Sequence, residues 1–355
     1  MRSGKKRKKN FWKFIALLIA IVAAVVFFAA GCENRDTDNT GNDPQVLSGE
    51  EQGLQAPADD TPIIYLTGKS YEIIDANPAP YSDPGFVALD KTDGDITANV
   101  VKDCTVNTHR SNYYFVRYSV TDSDGNKYSV VRETYVKPSA PPEAIQPEQK
   151  TIYLTFDDGP CVYTPDLLAV LDKYPDVKVT FFVTDAYAVS ESLYPEIINR
   201  GHEIGVHTKT HEMKKIYASD DAYWADFYFV QQKVKEITGY EPRIMRFPGG
   251  SSNTVSCFNP GIMTKLTNEI LDMGYQYFDW NVASNDTSSG ATTEQIYKNV
   301  IGGIGSKHTA VVLQHDIKPK SIAAVESIIK WGLENGYVFR GLDETSPAPH
   351  QRLNN

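Results

Sequence analysis

Two acids in succession, Asp157 and Asp158, end the apolar, β-branched run from Thr151 to Phe156 and are followed at once by Gly159 and Pro160. Such a run reads as a buried strand that delivers both carboxylates to a surface. Neighbouring carboxylates repel one another, so keeping both ionised calls for a nearby cation, and a metal ion is the strongest candidate. A solvated Asp-Asp-Gly-Pro turn is the competing reading, because Gly and Pro are common turn formers. Downstream, His207 and His211 stand four residues apart. That spacing puts two imidazoles on one side of a helical turn and suits a zinc-like ion, although a chance surface pair has the same spacing. Joined by an upstream carboxylate, the set is one acid and two histidines. Three protein ligands leave room for water, the form of a catalytic rather than a structural site.

The elements that must position these residues follow a regular plan. From Thr151 to about Glu344, strands and helices alternate. Thr164 and Pro165 start a helix through Tyr174, and Val179 to Val183 is a strand. Ser219 caps a helix with Tyr223, Phe227, Val230, Val234 and Ile237 on one face and Gly239 at its end. Arg243 to Phe247 and Tyr275 to Trp280 are strands flanking a helix that ends at Gly274; Thr309 to Leu313 is a buried strand and Ser321 to Asn335 a closing helix. Repeated β-then-α units imply a parallel barrel or a doubly wound sheet. On this plan Asp157 and Asp158, His207, Arg246, Asp279 and His315 each fall at or just past the C-terminal end of a strand. In an α/β barrel that face carries the active site. His202 precedes its strand and reads as structural.

At 355 residues, with 41% hydrophobic and 11% aromatic residues, the chain has material for two folded domains and extensions. Arg2, Lys5, Lys6, Arg7, Lys8, Lys9 and Lys13 precede any acid, and subtracting those seven from the net charge of −10 leaves −17 for the rest. So acidic a body argues against nucleic acid as a partner and accommodates a neutral or basic polymer. Residues 14–31 carry no charge behind this basic head, the pattern of an export signal or membrane anchor. The rest of the chain is therefore expected outside the cytoplasm. The run ends in Ala29-Ala30-Gly31-Cys32, which resembles a bacterial lipoprotein cleavage box with Ala29 in place of the usual Leu, so lipidation at Cys32 and an uncleaved membrane helix both stay open, ahead of a soluble secreted form. Residues 33–60 are polar and read as a disordered tether.

Short alternating strands with Asp-Gly turns follow, at Ile63 to Leu66, Tyr113 to Val120 and Tyr128 to Val136, and imply a small all-β sandwich over 61–138. The spellings from Tyr81 to Phe86, Asp93 to Thr97 and Ser119 to Asn126 resemble bacterial immunoglobulin-like modules, which serve as spacers or weak binders. Asp93, Asp95, Asp122 and Asp124 could ligate calcium, but no full loop of spaced oxygen ligands is present and solvated turns are the expectation. Residues 139–149 form a stiff Pro-rich linker, 150–345 the catalytic domain and 346–355 a tail.

Five segments in order resemble the five motifs of NodB-like polysaccharide deacetylases, carbohydrate esterase family 4: Thr155 to Pro160, His207 to His211, Arg246 to Gly250, Asp279-Trp280 and Leu313 to His315. The resemblance implies a distorted (β/α) barrel that uses one divalent metal, usually zinc and otherwise cobalt or another divalent ion, to hydrolyse acetyl groups from N-acetylated sugars. Carried over, it makes Asp157 the general base paired with Arg246, and Asp158, His207 and His211 the metal ligands. Asp279 then orients and charges His315, the general acid, while the Gly249 N–H faces the oxyanion. Trp280 and Leu313 line an acetyl pocket or serve as core. Gly249 departs from relatives that carry an aromatic there, which implies a more open groove. The expected substrate is wall peptidoglycan at its N-acetylglucosamine, acted on by a monomer. Deacetylation of N-acetylmuramic acid, an exopolysaccharide, a chitin-like glycan or O-acetylated xylan stays open, as does a catalytically silent carbohydrate-binding surface protein.

Cys161 and Cys257 belong to loops expected to leave the same face of the barrel, and no cytosolic reductant reaches them outside the cell. A Cys161–Cys257 disulfide is therefore an expectation, with two unrelated thiols as the alternative.

Overall fold

The computed structural model describes the backbone of residues 45–47 and residues 56–354 in full. The basic head, the apolar run 14–31 and Cys32 lie outside the described residues, as does most of 33–60. Among the described residues no helix is long and apolar enough to cross a membrane. One piece of the expected tether is ordered into the fold: Gln45–Leu47 is a strand, paired in parallel with Ile63–Thr67. An edge strand offers unpaired backbone groups, and this short segment occupies them.

Two four-stranded sheets make the N-terminal sandwich. One runs Gln45–Leu47, Ile63–Thr67, Phe86–Asp90, Gly94–Asp95, and the other Tyr71–Asp75, Lys127–Lys137, Asn112–Thr121, Val101–Cys104. Alternation along the long hairpin buries Val116, Tyr118, Val120 and Val130 against Ile64, Leu66, Ala88 and Ile96. Its acids cap turns, as expected: Asp93 accepts from Ser123, Asp95 from Thr97 and Asp122 from Asn126. The module does not stand clear of the second domain. Ala76 and Val136 join the barrel's buried cluster, Ser139 N donates to Asp272 O at 2.5 Å, and Ile145 N donates to Thr345 O at 2.7 Å. The Pro-rich linker is thus laid along the barrel.

That barrel is a curled, all-parallel sheet of eight strands. Its path runs Gln276–Tyr277, Ile244–Met245, Glu203–Val206, Thr180–Val183, Thr151–Asp157, Thr309–His315, Val282–Ala283, with Val338–Phe339 also on Thr151–Asp157. The two ends of the path are joined through Phe278 to Asn281 alone, so the sheet has to curl until its ends nearly meet. Thr151–Asp157 is buried at every position, as a central parallel strand must be. Around it, helix Asp220–Thr238 is capped by Ser219 and ended by Gly239 at φ 74°, and buries Tyr223, Trp224, Phe227, Val230 and Val234. Ile237, expected on that face, lies in the last turn and is exposed.

Candidate active site

Register brings the first and last motifs together. Asp157 is opposite His315 across the central pair of strands and opposite Phe182 on the other side. Asp157 is buried, and its Oδ1 accepts from Arg246 Nη1 at 2.7 Å. Arg246 is fully buried and held by further bonds: Nη1 also reaches Thr155 Oγ1 at 2.6 Å, Nε the Phe278 carbonyl at 2.9 Å, and Nη2 the Asp279 carbonyl at 3.0 Å. Its guanidinium lies 4.2 Å from the centre of the Phe182 ring. A cation held this rigidly fixes the orientation of the Asp157 carboxylate, whose Oδ2 lies 3.8 Å from His207 Nε2.

Asp158 turns the other way, at φ 74°. Its Oδ1 lies 3.5 Å from His207 Nε2 and 3.4 Å from His211 Nε2, and this buried oxygen has no hydrogen-bond partner. The ligand atoms of Asp158, His207 and His211 all lie within 4.8 Å of one another. Two ligands about 2.1 Å from a tetrahedral zinc are about 3.4 Å apart, so the orphaned oxygen and both imidazoles fit one divalent ion. His207 Nδ1 is 2.8 Å from the Arg246 carbonyl. A carbonyl can only accept, so Nδ1 carries a proton and Nε2 is the ring atom turned toward Asp158. Burial raises the Asp158 carboxyl, but His207, His315 and His211 outweigh it and hold it well below the ordinary carboxylate range.

The histidine pair does not ride on a helix as its spacing suggested. Residues 207–212 form a loop in which Thr208 and His211 both adopt positive φ, 82° and 54°. Thr210 anchors it through Asp226, with Thr210 N to Oδ1 at 2.9 Å. Asp158, Thr208, His211 and Asn285 are the described non-glycine residues with positive φ, and each is in or next to this site. Backbone held in that sparsely allowed region marks a place where the surrounding structure dictates geometry.

His315 corrects one expectation. Its partner is Asp286, with Nδ1 to Oδ1 at 2.8 Å and the His315 backbone N donating to Oδ2 at 2.8 Å. Burial lowers the His315 pKa, but the Asp286 carboxylate outweighs it and pushes the imidazole up to about 9. Asp279 does not reach His315; its carboxylate is buried and accepts from Ser251 N at 2.7 Å and Gln351 N at 2.8 Å. Its side chain turns toward a neighbouring loop because those N–H donors are what it meets there. His315 Nε2 faces inward, 3.9 Å from Asp158 Oδ2.

The polysaccharide deacetylase family model matches residues 144–269, and the bacterial surface protein Ig-like domain matches residues 64–136. A peptidoglycan-N-acetylglucosamine deacetylase of Bacillus cereus is 36% identical over 211 residues, 57% of this chain and 72% of its own. The chain belongs to the polysaccharide deacetylase family. It is a hydrolase of C–N bonds on a distorted (β/α) barrel, preceded by an immunoglobulin-like sandwich. The crystal structure of the catalytic domain of a peptidoglycan N-acetylglucosamine deacetylase from Eubacterium rectale is 47% identical, with a TM-score of 0.59 over 61% of this chain and 99% of that one. A Bacillus cereus polysaccharide deacetylase structure is 35% identical, with a TM-score of 0.50 over 57% of this chain and 96% of that one.

Other expected residues of the deacetylase fall as follows. Gly249 is exposed at φ 75°, and a Cβ there would lie 2.9 Å from Met213 Cε, so an aromatic side chain would be strained on both counts. Trp280 is half-buried with the Arg246 guanidinium 5.8 Å from its ring, and Leu313 shares a strand face with His315. The disulfide is corrected: Cys161 and Cys257 are both free. Cys161 is buried with Sγ 3.6 Å from the Asp316 carbonyl, whereas Cys257 is exposed with Sγ 3.3 Å from the Asn354 carbonyl, so the two thiols face different parts of the fold. His202 is buried, and burial lowers its pKa to about 4, which suits a neutral structural imidazole. Sequence reasoning missed Asp286 and Asp316. Asp286 lies just past the strand Val282–Ala283, beside the strand of His315, and that position is the signal that could have found it. Asp316 is buried against Gly159, where any Cβ would sit 2.1 Å from its carboxylate.

Proposed function

We propose that this deacetylase removes the N-acetyl group of N-acetylglucosamine in cell-wall peptidoglycan, using one divalent metal. The observation that carries the reading is the juxtaposition, on one rim, of the Asp158, His207 and His211 donors with the Asp157–Arg246 and His315–Asp286 pairs. One carboxylate and two imidazoles favour zinc over harder cations. When bound, the ion would polarise the acetyl carbonyl and lower the pKa of water. Asp157 accepts the proton of the attacking water, and Arg246 keeps that carboxylate oriented. The Gly249 N–H supplies a donor for the developing oxyanion. His315, held as imidazolium by Asp286, gives its proton to the departing amine. The names of the relatives support N-acetylglucosamine as the sugar.

The basic head and the uncharged run 14–31 support a place outside the cytoplasm, tied to the membrane by a lipidated Cys32 or an uncleaved helix. From there residues 33–60, the β module and the barrel, acting as a monomer, reach toward the wall. Acetate release from purified peptidoglycan, N-acetylglucosamine oligomers, N-acetylmuramic acid-containing fragments and O-acetylated xylan tests the substrate. Preferential release from the N-acetylglucosamine substrates is expected, and preference for xylan overturns the reading.

The general-acid role has its own consequence. The imidazolium must persist for the amine to leave, so activity falls as pH rises through the His315 pKa. Asp286→Asn removes the charge that raises this pKa and should move the alkaline limb to lower pH by roughly 1 to 3 units. Asp279→Asn should leave the limb in place. A limb that stays put in Asp286→Asn excludes the pair as the source of the acid.

A further inference from the structure

The C-terminal residues are not a free tail but cross the rim of the barrel and fasten to it. Asp279 N donates to the Pro349 carbonyl at 3.0 Å, Gln351 N donates to Asp279 Oδ2 at 2.8 Å, and Gln351 Nε2 donates to the Trp280 carbonyl at 3.3 Å. The His350 ring stacks on Tyr277 with centroids 3.8 Å apart and planes 8° apart. Asn354 Nδ2 then reaches the Ser252 carbonyl at 2.5 Å. From the opposite side, Ser251 N donates to Asp279 Oδ1 at 2.7 Å, and the Ser251 hydroxyl donates to Oδ2. One fully buried carboxylate therefore closes on three donors from two separate segments, while its own carbonyl accepts from Arg246 Nη2.

What this knot holds is the turn after Arg246. Gly249 and Gly250 adopt φ 75° and 78° in succession. Paired glycines have the widest conformational freedom of any dipeptide, so contacts outside the turn decide where the Gly249 N–H points. Ser251, the next residue, makes two of those contacts, both to Asp279, beside the bonds from the Tyr217 hydroxyl to the Pro248 carbonyl and from Asn253 Nδ2 to the Gly250 carbonyl. A Cβ on Gly250 would meet Trp280 Cη2 at 2.9 Å and Asp279 Oδ1 at 3.2 Å, so the turn is pressed directly onto the segment that Asp279 organises.

We propose that Asp279 is a positioning residue for the deacetylation reaction and that the Pro349–Asn354 strap is its counterpart. Together they hold the Gly249 to Ser251 turn so that the Gly249 N–H meets the acyl oxygen as charge develops there. The inference rests on the proposed oxyanion role of Gly249, but its test is separable from that of the overall function. Asp279 acts through the turn and not through His315, whose carboxylate partner is Asp286.

The test uses the full chain loaded with zinc and an N-acetylglucosamine oligomer, comparing Asp279→Asn, Gln351→Pro and the double variant. Gln351→Pro deletes the strap's N–H donor to Asp279, together with the Gln351 side-chain bonds to the Ser252 hydroxyl and the Trp280 carbonyl, while every residue of the Gly249 to Ser251 turn keeps its identity. Loss of a complete oxyanion donor costs roughly 10² to 10³ in kcat, so a misplaced one is expected to cost roughly tenfold or more. KM, zinc content and the alkaline limb should stay at wild-type values. Because both changes loosen the same turn, the double variant should be no slower than the slower single variant. An unchanged kcat in folded, zinc-loaded Asp279→Asn overturns the proposal, as does an alkaline limb that moves in that variant. Effects that multiply in the double variant overturn the shared path. If Asp279→Asn does not fold, Gln351→Pro decides alone, and wild-type kcat in it is a refutation. A wild-type protein that releases no acetate would instead contradict the proposed function.

Discussion

Asp157→Asn is expected to yield a zinc-loaded protein whose deacetylation rate is lower by roughly 10² to 10⁴-fold, the contribution of a positioned general base. The substitution is nearly isosteric, and the amide oxygen can still accept from Arg246 Nη1, which now stands 2.7 Å from the carboxylate. What the amide cannot do is take a proton. The proposed metal donors, Asp158, His207 and His211, are untouched. Stability should fall as well, since Arg246 is fully buried and loses its counter-charge. Metal analysis, a melting curve and acetate release separate these effects. A folded, metal-replete Asp157→Asn enzyme that keeps more than about a tenth of the wild-type rate would exclude Asp157 as the base.

Removing a ligand should act on metal and rate together. Three protein ligands hold a catalytic zinc, and two are too few to retain it through gel filtration. Asp158→Ala, His207→Ala and His211→Asn are therefore expected to lose both the metal and the activity, down to background. The three differ in side effects. His207 also donates to the Arg246 carbonyl, so its loss disturbs the strand end that carries Arg246. His211 stands on a loop at φ 54°, where Asn is tolerated, so His211→Asn removes the imidazole with the least backbone cost. Stoichiometric zinc in that variant would exclude His211 from the ligand set.

The parts of this site that were legible in the sequence are those fixed by short-range pattern. The apolar, β-branched run ending in Asp157 and Asp158 reads as a buried strand with its acids at the rim, and the strand is buried at every position. The capped helix Asp220–Thr238 was equally plain, because Ser219, the apolar stripe and Gly239 agree with one another. The spacing of His207 and His211 singled out a pair that the structure brings together beside Asp158 while suggesting the wrong backbone, since positive φ at Thr208 and His211 is imposed by neighbours such as Asp226. Asp279 and Asp286 were confused for a similar reason. Both are acids near short strand ends, and only the register of Val282–Ala283 on the strand of His315 puts Asp286 beside the imidazole. The disulfide failed on side-chain direction: two loops can leave one face of a barrel while their thiols turn to different partners.

If this rim is a metal-dependent N-deacetylase, activity must follow the metal. Acetate released from an N-acetylglucosamine oligomer should be measured for the purified protein, for the same protein stripped with a chelator, and for the stripped protein given back zinc. Release that disappears on stripping and returns with about one zinc per chain is the predicted result. Undiminished release from the stripped protein, or none from the zinc-restored one, would contradict it.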